Sequence, residues 1–173
     1  EPAFREDLVG LNEQIQRLEK TDIIPGEQAR LLRTLVLNTY VTNPFLIKDL
    51  TLDIETKAFR AQKDSGGGYF IRFGGDLKEL GRGPLTALEV FAHEISHVAR
   101  LKFIRNNGVE WNAFKALSKS SAGKSYIKKL VQAWHGGRWT KIARAEYRKY
   151  ISSTEEFIAG LGMYHMLSDL IPE

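Results

Sequence analysis

Residues 93 to 97 read His93-Glu94-Ile95-Ser96-His97, an H-E-x-x-H run. On a helix, residues four apart project from one face, so both imidazoles can reach a single ion at about 2.0–2.1 Å. This is the residue pattern of a zinc peptidase site. Glu94 adjoins the first histidine and is expected to act as general base, taking the proton of a zinc-bound water as it attacks a carbonyl. Three fixed positions also recur by chance, but the flanks argue for chemistry. Leu85, Leu88, Val90, Phe91, Ala92, Ile95, Val98, Ala99, Leu101 and Phe103 make an apolar stretch with no Gly or Pro after Pro84, as a buried helix requires. Two histidines and a glutamate buried there without partners would cost about 1–3 kcal/mol each, and a metal would satisfy them together.

A catalytic zinc takes three protein ligands and keeps one position for water. A metzincin would continue with Gly at position 100 and His at position 103, whereas Arg100 and Phe103 stand there. The chain has no Cys, so the remaining ligand must be a distant histidine or carboxylate. The candidates are His135, His165, Glu155 and Glu156. Glu156 leads, because Glu155-Glu156-Phe157-Ile158-Ala159 opens an apolar helix whose carboxylate, facing the metal helix, would complete a His2Glu set of the gluzincin type. Glu155 points about 100° away and reads as a first-turn acid complementing the helix dipole. His165 lies near the Glu156 face, either close to the site or in the core. His135, between Trp134 and Gly136, reads as a loop residue within reach of a substrate.

The elements that must hold these side chains can be traced from periodicity. Leu8, Leu11, Ile15 and Leu18 recur at steps of three and four, predicting an amphipathic helix from about Phe4 to Lys20. A second helix starts after Pro25 and yields before Pro44. Leu50, Leu52 and Ile54 alternate with Thr51 and Asp53, and Tyr69-Phe70-Ile71-Arg72-Phe73 follows the turn cluster Asp64 to Gly68. These predict a β-hairpin or two neighbouring strands. Without a Gly-Lys-Ser/Thr signature the glycines read as a turn and not as a phosphate loop. Residues 69 to 73 are either an exposed strand that pairs with an extended substrate or an ordinary interior strand. Beyond the metal helix, Asn106-Asn107-Gly108 breaks the chain. Helices are then predicted near 110–119, 123–134 and 138–150, and a last one from about Ser153 to Leu170, capped by Ser153 or Thr154.

The layout is therefore α+β in one domain of 173 residues. It has a helical lead-in (1–45), a small mixed sheet (46–83), the metal helix (84–104) and a helical carboxyl-terminal half (105–173). No apolar run approaches the ~20 residues that cross a bilayer, and no amino-terminal secretion signal is visible. A start at Glu1 suggests an excised domain or processed product. The net charge of +4 hides an asymmetry, since residues 100 to 150 hold 13 Lys or Arg against Glu110 and Glu146, or +11, and the rest sum to −7. That segment reads as solvated helix faces before it reads as a polyanion surface.

The pairing of His93-Glu94-x-x-His97 with a downstream Glu156-Phe157-Ile158-Ala159, then Met163 and His165, resembles the catalytic domains of the anthrax toxin lethal factor family. The motifs cover about the last 80 residues. The resemblance implies a zincin-like fold, Zn2+ held by His93, His97 and Glu156, Glu94 as base, and a tyrosine shortly before the third ligand that steadies the oxyanion. Tyr150 is one residue nearer the ligand than the family spacing and Tyr147 two residues farther. Gly160 stands where the family has a carboxylate that supports a metal-bound histidine, so that support would fall to Glu89 or Asp169. A secreted bacterial toxin or effector that cleaves a host protein is the implied activity. The rival readings are a zincin-fold binding or translocation module without activity, a basic polyanion-binding domain, and a zinc hydrolase of non-peptide bonds.

Overall fold

A computed structural model describes residues 3–55, 61–63, 68–74 and 86–168. Its layout is α+β, and the chain forms two compact units, Glu1–Val98 and Ala99–Glu173.

In the first unit, α1 (Arg5–Lys20) buries Leu11, Ile15 and Leu18, the positions that its periodicity singles out. Pro25 caps α2 (Gly26–Thr42), with its fixed φ suiting a helix entry. The helix ends at Asn43, whose side chain accepts from Phe45 N at the head of a short 3-10 turn, Pro44–Leu46. Three strands follow, β1 (Leu50–Glu55), β2 (Ala61–Lys63) and β3 (Tyr69–Gly74), in the order β1-β3-β2. β1 runs parallel to β3 with Leu52 opposite Ile71, and β2 runs antiparallel to it with Lys63 opposite Tyr69. The sheet is thus mixed: the two strands expected from the sequence, β1 and β3, are neighbours but run parallel and so form no β-hairpin, and the antiparallel partner of β3 is β2, a strand the sequence pattern does not single out. Leu50, Leu52, Ile71 and Phe73 are buried, and the register puts them on one face, as a period of two demands. α1 packs on β1, where Gln14 Oε1 accepts the Leu52 N–H.

One expectation fails here. Along Tyr69–Ile71, β3 is hydrogen-bonded on both sides, by β1 and by β2. It is the interior strand of the pair of readings, and its backbone groups there are already used. Among the described residues the edge strands are β1 and β2.

The helix that carries His93 and His97, α3, spans Thr86–Ala99, and the chain continues as a π-helical turn, Arg100–Ile104, closed by Arg105 N on Arg100 O at 2.8 Å. The α-helical part is thus shorter than the predicted 84–104, whose first two residues lie outside those described. Such wide turns are rare and gather at functional sites.

The second unit holds α4 (Gly108–Lys119), α5 (Ser121–Trp134), α6 (Lys141–Tyr150) and α7 (Thr154–Ser168). Asn107, Ser120 and Thr140 cap the first three, each side chain accepting the N–H three residues on. Ile127, Val131, Ala143, Tyr150, Phe157 and Met163 are among its buried core. The turn Asp64–Gly67, Pro84 and Asp169 lie outside the described residues. No helix among those described is long and apolar enough to cross a membrane.

Candidate metal centre

α3 places its polar residues on an otherwise apolar helix. Ala87, Leu88, Phe91, Ala92, Ile95 and Val98 are buried, and so are His93, Glu94 and Ser96. Ser96 satisfies itself by donating to Ala92 O at 2.7 Å. The amino-terminal end of α3 is fixed from α2, where the buried Gln28 accepts the Ala87 N–H at 3.1 Å. A helix start has unpaired N–H groups, and here a side chain 59 residues earlier supplies the acceptor. Nothing in the local sequence signals that contact.

The four-residue spacing does what it predicts. Nε2 of His93 and Nε2 of His97 lie 3.2 Å apart, with the rings inclined at 70°. Two nitrogens bound to one tetrahedral ion at the usual zinc distance would stand about 3.3 Å apart. The imidazole pair therefore already has the separation that a shared ion needs. Glu94 Oε1 is 3.9 Å from His93 Nε2, too far for a hydrogen bond and close enough to serve a molecule held at the same nitrogens.

Glu156 lies in the first turn of α7. Ser153, of the two caps proposed, is the one used, its Oγ accepting the Glu156 N–H at 3.1 Å. Glu155 and Glu156 both act on Arg100, the first residue of the π-helical turn. Burial pushes the Arg100 guanidinium below its ordinary value; Glu155 opposes the shift, Arg105 adds to it, and Glu156 opposes it more weakly. Arg100 follows His97 by three residues and escaped the sequence reading except as the residue that excludes a metzincin. His93, His97 and Glu156 each offer a ligand atom, and the group could hold a metal ion. Two imidazoles and a carboxylate are a donor set that suits zinc.

The other histidine candidates are placed elsewhere. His165 is exposed on α7, with Nε2 3.1 Å from the Tyr126 hydroxyl and its ring stacked on that tyrosine, so it is neither a core residue nor part of the group. His135 follows α5 and its Nε2 lies 3.1 Å from Glu146 Oε2, so it faces a carboxylate within the second unit. Glu89 lies in the first turn of α3, one turn before His93. Tyr147 packs edge-on against Trp139, with ring centroids 5.6 Å apart. Tyr150 is buried, and its hydroxyl donates to Met163 Sδ at 3.7 Å. Its ring also explains Gly160, because a Cβ at that position would come within 2.8 Å of Tyr150 Cδ1 and Cγ. The carboxylate of the family pattern has no room there.

Compared with protein-family models, with curated proteins and with solved structures, the chain matches none of them.

Proposed function

We propose that this chain is a zinc-dependent endopeptidase of the gluzincin type with a zincin-like fold, related to the lethal factor-like catalytic domains that its motifs resemble. The observation that carries the reading is the 3.2 Å approach of His93 Nε2 to His97 Nε2 beside the Glu94 carboxylate. Such a pair matches the demand of a shared tetrahedral ion. Glu156 is the third ligand in this reading. Bound zinc supplies Lewis acidity and brings the pKa of a coordinated water to about 7.

The remaining roles belong to the protein. His93 and His97 act as neutral imidazoles on one rigid helix, so little reorganisation accompanies binding. Glu94, buried on the same helix, accepts the proton of the attacking water and returns it to the leaving amine. The resemblance gives oxyanion stabilisation to Tyr150 or Tyr147, but the packing of Tyr150 on Gly160 and of Tyr147 on Trp139 supplies no support for either. That step is assigned to no residue. Secretion as a bacterial toxin or effector, with a host protein as substrate, belongs to the proposal through the resemblance alone.

The test is cleavage of a peptide library by the zinc-loaded protein. Glu94→Gln keeps the side-chain shape, should retain zinc, and should lose roughly 10²- to 10⁴-fold in rate. Undiminished cleavage by that variant, or none by the zinc-loaded wild type, would refute the assignment.

A further inference from the structure

The cations of the second unit are not balanced where they stand. α5 carries Lys124, Lys128 and Lys129 and no carboxylate. α6 carries Lys141, Arg144, Arg148 and Lys149 and a single carboxylate, Glu146. That carboxylate is turned inward, with its side chain 11% exposed. It accepts from the Tyr164 hydroxyl at 2.7 Å and meets His135 at 3.1 Å. Of the seven cations all but Lys124 are exposed. None forms an ion pair among the described residues.

A face that is merely solvated interleaves both signs, because unneutralised like charges at helical spacing repel. Here Lys141, Arg144 and Arg148 recur at steps of three and four and form one stripe along α6. α5 and α6 pack together, and Lys128 Nζ lies 4.9 Å above the Trp139 ring in the segment that joins them. The result is a cationic field that an external polyanion would relieve.

The chemistry of the face selects among polyanions. Binding of unpaired bases uses presented aromatic rings, whereas Trp139 is half-buried between Lys128 and Tyr147 and the exposed Tyr126 ring of α5 is already stacked on His165. Bidentate phosphate recognition favours Arg, whereas five of the seven cations are Lys. Ile142, 57% exposed on α6, adds an aliphatic side chain able to enter the outermost layer of a bilayer. We propose that the outer face of α5 and α6 docks the protein on an anionic lipid leaflet. This surface is independent of the peptidase reading and holds whether or not the histidine pair binds a metal.

Flotation of the full chain with phosphatidylcholine vesicles, with and without phosphatidylserine, tests it. Binding should require the anionic lipid and vanish at high salt. The triple variant Lys141→Gln, Arg144→Gln, Arg148→Gln should partition roughly 100-fold more weakly. A charge-matched control in the first unit, Arg17→Gln, Lys20→Gln, Arg30→Gln, should bind like the wild type. No binding to anionic vesicles, or an equal loss in the control, overturns the proposal. Tighter binding to a DNA duplex than to the vesicles also overturns it and reassigns the face to nucleic acid.

Discussion

Helices α3 and α7 carry the same kind of burden by different means. α3 sets His93, Glu94 and His97 within five consecutive residues, so helical geometry alone brings two nitrogens to 3.2 Å. α7 offers one carboxylate, and its course depends on packing within the second unit. Ser153 caps it, Tyr150 fills the space at Gly160, and Ser118 Oγ meets Thr154 Oγ1 at 3.2 Å. A constellation built into one helical turn survives the loss of distant contacts. One that depends on a distant helix inherits every weakness of that helix's packing.

That contrast can be broken most forcefully at Gly160. Gly160→Ala sets a methyl against the buried Tyr150 ring at 2.8 Å, and overpacking of this kind costs about 1–3 kcal/mol. The expected result is a lower urea midpoint with weaker zinc retention. A variant of wild-type stability would show that the ring yields easily and that α7 is not held as described. Smaller in effect is Ser153→Ala, which removes the acceptor for Glu156 N–H and should cost about 1 kcal/mol in the same titration. A null result there would leave the tyrosine contact as the main support of the helix.

The parts legible in the sequence are those with a local cause. Leu11, Ile15 and Leu18 announced α1, Pro25 and Pro44 bounded α2, and Ser153 marked the start of α7, because periodicity, fixed φ and capping each act within a few residues. The two histidines were legible for the same reason. Strand order was not, since the alternation of β3 is equally compatible with an edge and an interior place, and only pairing with β1 and β2 decides it. Nor was Gln28, whose role as acceptor for α3 rests on a contact across 59 residues. The π-helical turn at Arg100–Ile104 interrupts an apolar run that reads as continuous helix. Gly160 looked like a missing support for the metal and is instead the space that Tyr150 occupies.

In the function proposed above, His93, His97 and Glu156 hold one zinc ion together. Zinc per chain, measured by elemental mass spectrometry on the reconstituted wild type and on Glu156→Ala, tests it most directly. About one zinc in the wild type and a sharp loss in the variant is the result expected of a His2Glu site. Full retention by the variant would remove Glu156 from the ligand set, and a wild type that takes up no zinc would contradict the metal centre itself.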